Sequence, residues 1–232
     1  MMETDAVRIQ HLSMAYGRHD ALRDVSLCVP AGTMTALCGA NGSGKTTLLK
    51  IAGGLIQPWR GAVHILSHGD TWAAKADICY HSAFPWFEPQ QTVSGAARRA
   101  ARFHARYDMT RLNGMLASFD LDPSARLGAL SKGRCALALF LISLGADERL
   151  YLMDEPFGGI DVKTRAQMKT ALLRCMSPDR TFIISTHELS DLEGLFDRLI
   201  LLDGGRVRLS DWTDDLREQN GCSLSELVRR MI

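Results

Sequence analysis

The sequence predicts a mixed α/β fold: a buried, mostly parallel sheet with antiparallel strands ahead of it and a helical insertion in its middle. Three observations predict this. A short apolar strand at residues 33–38 runs into a glycine-rich loop and then a helix start at 46–52. Apolar runs at 150–153, 181–185 and 199–202 carry no polar alternation, as strands buried on both faces do in parallel sheets. Between these regions, from about 92 to 130, the composition turns rich in alanine and arginine with helical spacing.

Taken in order, residues 7–14 and 25–29 alternate as half-buried strands, and Pro30-Ala31-Gly32 makes the turn into the strand at 33–38. Residues 61–66 read as another short strand. Helices are expected over 96–107 and 111–119, and an apolar helix from Cys135 onward. Strand–helix alternation then returns through 150–153 and 181–185. The strand at 199–202 turns at Asp203-Gly204-Gly205 into a return strand at 206–209. Ser223-Leu224-Ser225-Glu226 has the capping-box pattern of a helix start. Internal repeats, low-complexity segments and long linkers are not seen.

With 232 residues the chain can bury a full core. A net charge of +1 gives no dedicated nucleic-acid footprint, so no nucleic-acid partner is expected. The six cysteines are scattered with no C-x-x-C pair, which fits a reducing cytosol better than disulfides or a zinc site. The acidic, polar start predicts no signal peptide. The longest apolar run, 135–146, falls short of the roughly 20 residues that cross a bilayer.

The chemistry concentrates in Gly39-Ala40-Asn41-Gly42-Ser43-Gly44-Lys45-Thr46-Thr47, which fits G-x-x-x-x-G-K-[ST] at each required position. Glycines let backbone N–H groups fold into a nest around phosphates, and the helix start adds its positive end. Lys45 supplies a mobile charge for the outer phosphates, and the Thr46 hydroxyl can ligate magnesium. A chance glycine-rich turn does not account for strand, loop and helix in that order. Nucleoside triphosphate binding is expected. Residues 150–153 then end in Asp154 and Glu155, at the end of a strand, where open α/β sheets present ligand groups. Asp154 is placed to hold the magnesium ion, and Glu155 to polarise the attacking water. A solvated strand-end carboxylate is the plainer reading of that pair taken alone.

Asp154-Glu155-Pro156 is preceded by Leu130-Ser131-Lys132-Gly133-Arg134 and followed by Ser185-Thr186-His187. In this order and at this spacing, the set resembles the ATPase subunit of an ABC (ATP-binding cassette) transporter over nearly the whole chain. The resemblance implies a P-loop NTPase (RecA-like) core with an antiparallel β subdomain and an inserted α-helical subdomain. It implies one domain over 1–232, with its core at 1–83 and 147–232 and the helical subdomain at about 84–146. Tyr16 matches the aromatic that stacks on adenine, its alternative being an ordinary strand-end tyrosine. Ser131 and Gly133 match the signature loop that contacts the γ-phosphate bound by the opposite subunit; they also fit a plain helix cap, and both readings can hold together. Lys132 and Arg134 depart from the common signature, and Arg134 adds positive charge near an anionic ligand. His187 matches the switch histidine, and Asp161 the loop through which subunits communicate.

One departure stands out. The glutamine that usually contacts magnesium is replaced by Ala83, with Glu88, Gln90 and Gln91 nearby as substitutes, or the contact is missing. The cluster Phe84-Pro85-Trp86-Phe87-Glu88-Pro89 is either a loop packed on its own domain or part of the groove for a membrane-subunit helix. The resemblance implies an ATPase using ATP and Mg2+, peripheral on the cytoplasmic face of the membrane. Its partners are integral membrane subunits and a second cassette, as homodimer or heterodimer. Residues 119–133 resemble bacterial ABC-2-like exporters, so export is expected. Two alternatives remain open: a soluble ABC-type ATPase acting without a transporter, for example in cofactor assembly, and a domain that binds nucleotide without turning it over.

Overall fold

The computed structural model describes residues 5–66, 68, 71–82 and 87–232. Ala83 and the Phe84-Pro85-Trp86 part of the aromatic cluster lie outside the described residues.

The chain opens with strands β1 (Asp5–Tyr16), β2 (His19–Pro30) and β3 (Met34–Cys38), then helix α1 (Lys45–Ala52), β4 (Arg60–Ile65) and β5 (Ile78–His81). Helices α2 (Val93–Ala100), α3 (Met109–Ser118) and α4 (Lys132–Gly145) follow. Then come β6 (Leu150–Met153), α5 (Val162–Cys175), β7 (Thr181–Thr186), β8 (Arg198–Asp203), β9 (Arg206–Trp212), α6 (Thr213–Asn220) and α7 (Leu224–Met231).

Two sheets result. One is antiparallel, in the order β2-β1-β4, with Val7 opposite Ile65 and Ile9 opposite Leu27. The other has the order β5-β6-β7-β3-β8-β9, parallel except for β9, which returns antiparallel along β8. Every residue of β3 and β6 is buried, the reason both read as unbroken apolar runs. Because successive side chains point to opposite faces, β3 serves two cores at once. Met34 and Ala36 join Tyr151, Met153, Phe182 and Ile184 in the core beneath the helices. Leu37 joins Leu150, Leu152 and Ile183 in the core around α1 and the antiparallel sheet. Tyr151 stacks on Phe182 with ring centroids 4.5 Å apart, and each such buried aromatic contributes about 2–3 kcal/mol.

Helix starts follow their capping residues. Thr92, Asp108 and Ser131 side chains accept from the amides of Gly95, Arg111 and Arg134. The helix expected over 96–107 is a correction: α2 ends at Ala100, and turns carry the chain to Asp108. Past that point the polar side chains are drawn inward instead of continuing a helix face. His104 Nδ1 lies 3.1 Å from the buried Glu148, and Arg106 donates to both Glu148 (2.7 Å) and Asp77 (2.6 Å). A buried carboxylate needs such partners, and the chain bends to supply them. The strand β5, which the sequence reading did not identify, pairs parallel with β6.

All six cysteines are free, and four of them are buried. Burial pushes the Cys38 and Cys79 thiols up to about 12, so both act as small hydrophobic groups. Among the described residues no helix is long and apolar enough to cross a membrane.

Candidate nucleotide site

Parallel register brings the chemical residues together. Cys38 at the end of β3 pairs with Thr186 at the end of β7, and Met153 at the end of β6 pairs with Ile184. The loop 39–44, the carboxylates 154–155 and His187 therefore emerge side by side at the carboxyl ends of adjacent strands, where open α/β sheets hold ligands.

The loop is shaped by glycine. Gly39 has φ 149°, and a Cβ there would lie 2.2 Å from the Leu202 carbonyl oxygen; at Gly44, φ is 107° and the Ala21 carbonyl would be 2.5 Å away. Neither position tolerates a side chain. No side chain caps α1, so its first amides are left for an anion. The buried Ser43 hydroxyl also lacks a hydrogen-bond partner. Lys45, 5% exposed, donates to the carbonyls of Gly39 (2.7 Å) and Ala40 (3.1 Å) and sits 3.7 Å from Glu155. These features fit a phosphate chain: a curled backbone, free amides and one buried, poised cation.

Asp154 is buried and held from three sides. Thr46 Oγ1 donates to it at 3.0 Å, Ser185 Oγ at 2.8 Å and Tyr80 OH at 3.5 Å, while its backbone amide bonds the His81 carbonyl. Burial, then the Asp154 charge, raises the Tyr80 hydroxyl, so Tyr80 stays protonated and able to donate. Thr46 and Asp154 offer two hard oxygen donors at one point, the donor type magnesium takes. Glu155 adopts φ 48°, a left-handed conformation a non-glycine residue rarely takes, and its amide bonds Ser185 Oγ at 2.8 Å. Its carboxylate lies 2.9 Å from His187 Nδ1. Ser185, to which the sequence reading gave no role, thus orients the Asp154 carboxylate and fixes the Glu155 backbone; the sequence signal was a serine closing an apolar run.

Tyr16, half-exposed at the end of β1, lines the same cleft as Asn41, Gly42, Gly44, Lys45 and Thr47. His19 and Ala21 line it too and were also missed. Glu88 and Gln90 are turned elsewhere, toward Arg99 at 3.7 Å and Arg126 at 3.3 Å, while the buried Gln91 Oε1 has no partner.

Ser131, Gly133 and Asp161 do not line this cleft; they gather elsewhere. Ser131 caps α4 and is exposed. Asp161 caps α5, taking the Thr164 amide at 2.9 Å and its hydroxyl at 2.7 Å, which holds its carboxyl below the usual range. A Cβ on Gly133 would meet Asp161 Oδ2 and Thr164 Oγ1 at 2.6 Å, so the two loops are packed together. Arg134, expected to add charge near an anion, is committed to the carbonyls of Phe119 (3.2 Å) and Asp120 at the end of α3. A second cleft beside the site is walled by Gly39, Ala40, His187 and Glu188 on one side and by Ser225 and Arg229 on the other. Glu193, downstream of His187, fastens α7 there: its carboxylate accepts the amides of Ser225 (2.8 Å) and Leu224 (3.3 Å) and the Ser225 hydroxyl.

Comparisons with known proteins agree with this geometry. A family profile described as ABC transporter matches residues 22–158, more than half the chain. The chain is 34% identical over 208 residues to aliphatic sulfonates import ATP-binding protein SsuB 1 of Burkholderia cenocepacia (strain HI2424), covering 88% of this chain and 63% of that protein. The chain thus spans less than two thirds of that relative's length. It is 32% identical over 207 residues to the SsuB protein of Mycobacterium avium (strain 104), covering 87% and 79%. Among solved structures, an ATP-binding subunit of an ABC transporter superposes with a TM-score of 0.85 at 29% identity, covering 97% and 98% of the two chains. A nucleotide-free ATP-binding cassette matches the fold with a TM-score of 0.80 at 19% identity, again over 97% and 98%. By its glycine loop, its paired carboxylates and these likenesses, the chain belongs to the ABC transporter family, as an ATP-binding subunit.

Proposed function

We propose that the chain hydrolyses ATP to drive transport, lying on the cytoplasmic face of a membrane against separate integral membrane subunits. The observation that carries this is the convergence on the glycine loop: Thr46 lies 3.0 Å from Asp154, Lys45 3.7 Å from Glu155, and Glu155 2.9 Å from His187. Backbone amides of 39–47 and Lys45 bind the phosphates, and Tyr16 packs on the base. Thr46 and Asp154 would hold a magnesium ion, which when bound neutralises charge on the outer phosphates. Glu155 orients and polarises the attacking water, and His187 holds Glu155 and contacts the terminal phosphate.

Ser131, Gly133 and Asp161 complete the site of a second cassette, identical or different, in a head-to-tail pair. The exposure of Ser131 and Asp161 at helix starts, outside their own chain's cleft, supports this assignment. ATP closes the pair and hydrolysis opens it, so the product is conformational work on the membrane subunits. One domain over 1–232, with the helices between β5 and β6 as its inserted subdomain, is the organisation this cycle uses.

For direction the supports diverge. Residues 119–133 resemble exporters, whereas the relatives are named for import and their likeness spans about 208 residues. Import is the better-supported direction. The transported compound is recognised by the membrane subunits.

The test is to purify an amino-terminally tagged Glu155→Gln variant with ATP from detergent-solubilised membranes. Co-purification of a polytopic membrane protein is the expected outcome. Recovery with soluble proteins alone would shift the assignment to a soluble ATPase such as those of cofactor assembly.

A further inference from the structure

Helix α2 and the turn after it carry a feature that nucleotide chemistry does not use. Val93, Ala96 and Ala97 face the core. Arg98, Arg99 and Arg102 fall on the opposite side, since residues one turn apart share a face and all three are exposed. The turn at 101–103 keeps this face going, with Ala101 N bonded to Ala97 O and Phe103 N to Ala100 O. Phe103 then projects at 78% exposure.

Charge on this face is uncompensated. Among the described residues the Arg98 and Arg102 guanidinium groups have no ion-pair or hydrogen-bond partner. Arg99 has one long contact, 3.7 Å, to a Glu88 side chain that is itself 80% exposed. From residue 89 to residue 107 the sequence holds no aspartate or glutamate. In a chain of net charge +1, three guanidinium groups and a bare aromatic ring on one face are a local excess of positive charge beside an apolar tip. Of the other ionisable groups in this segment, His104 and the part-exposed Arg106 are paired with Glu148 and Asp77, so the unpaired charge that faces out is basic.

We propose that this face, Arg98, Arg99, Arg102 and Phe103, lies on an anionic bilayer surface, with the guanidinium groups on lipid phosphates and the Phe103 ring among the headgroups. The chemistry is matched on both counts. Arginine forks pair with phosphate oxygens, and a negative leaflet attracts basic groups that lie within a Debye length of it. An exposed aromatic next to them gives the apolar insertion that charge alone lacks. The patch orients the helical insertion against the membrane independently of any contact with a protein subunit. This rests on the reading that the chain works at a membrane face, but its test does not require turnover.

The purified full chain is sedimented with vesicles of phosphatidylcholine alone and of phosphatidylcholine with phosphatidylglycerol. Binding only to the anionic vesicles, weakening as salt rises, is expected. Arg98→Gln should weaken binding about fivefold, and the triple variant Arg98→Gln/Arg99→Gln/Arg102→Gln on the order of a hundredfold. Phe103→Ser should weaken it at every salt concentration, because the ring's share is not electrostatic. All four side chains are exposed and outside the nucleotide cleft, so ATP affinity and basal turnover stay within twofold and report correct folding. Equal binding to both vesicle types, or anionic binding that survives the triple variant, overturns the proposal. So does capture of the patch by an acidic soluble protein with no vesicle binding. A variant that keeps ATP binding but loses vesicle binding leaves the ATPase reading standing, whereas a wild-type chain that binds anionic vesicles without binding ATP sinks that reading and spares this one.

Discussion

The glycine-loop end of the molecule and the start of α4 are built on opposite terms. At the former, Lys45 and Asp154 are buried and each carboxylate oxygen of Asp154 has a partner within the chain. At the latter, Ser131 and Asp161 are exposed, and their bonds are those that cap their own helices. One half of the chemistry is preorganised by the fold, so it pays little reorganisation when a ligand arrives. The other half is presented outward, where on the proposed reading a second cassette brings its nucleotide. On the proposed reading, a chain built this way binds nucleotide alone and turns it over in company.

The sharpest way to break that contrast is Lys45→Ala. It removes the one buried cation of the loop, and ATP affinity should fall at least a hundredfold, about 3 kcal/mol, in a single-chain binding measurement. Undiminished affinity would remove the loop from the site. Next is Ser131→Ala. Turnover should fall on the order of a hundredfold, the usual loss for a missing phosphate-side donor, while single-chain ATP affinity holds. A drop in affinity instead would mean that Ser131 serves its own chain's nucleotide. The lost helix cap costs about 1 kcal/mol of stability, which thermal melting reads separately.

Ser185→Ala tests the preorganised half from behind. It deletes the bond that aligns Asp154 and the one that holds Glu155 in its left-handed turn. A roughly tenfold loss in kcat with KM for ATP within twofold is expected, since a hydrogen bond to a charged group contributes about 1.5–3 kcal/mol. An equal rise in KM would indicate that Ser185 shapes binding instead.

The smallest effect on turnover belongs to His81→Asn, which should leave the rate at pH 7 within twofold. Burial pushes the His81 imidazole down to about 4, although Asp154 pulls it up, and its Nδ1 lies 2.8 Å from Ser143 Oγ. The unfolded chain, near 6.5, binds a proton that the fold does not. Stability contributed by neutral His81 is therefore full above pH 6.5 and is lost as pH falls toward 4, by roughly 3 kcal/mol. Melting temperature against pH should be flatter over that interval in the variant than in the wild type. Parallel curves would mean that His81 takes its proton without unfolding.

The same contrast explains what could be read from the sequence. Gly39 to Thr47 was legible because a phosphate nest is a local object, made by nine consecutive residues with their own spacing. The unbroken apolar strands were legible because burial on both faces leaves its mark in composition. Ser185 was not, since its meaning depends on the register that sets β7 beside β6. Strand β5 was hidden for a like reason: four residues containing Tyr80 and His81 show no pattern until β6 pairs with them. Helix α2 was overextended because alanine and arginine favour a helix through residue 107. The pull of Glu148 on His104 and Arg106 is a tertiary force with no signature near them in sequence.

Glu193 has a mechanical consequence. Besides burying Leu224 and Leu227 in the core, the last helix is tied by the Glu193 carboxylate to the segment that follows His187, across a cleft from the glycine loop. Force applied to α7 is passed through Glu193 to the stretch of chain that begins at the histidine.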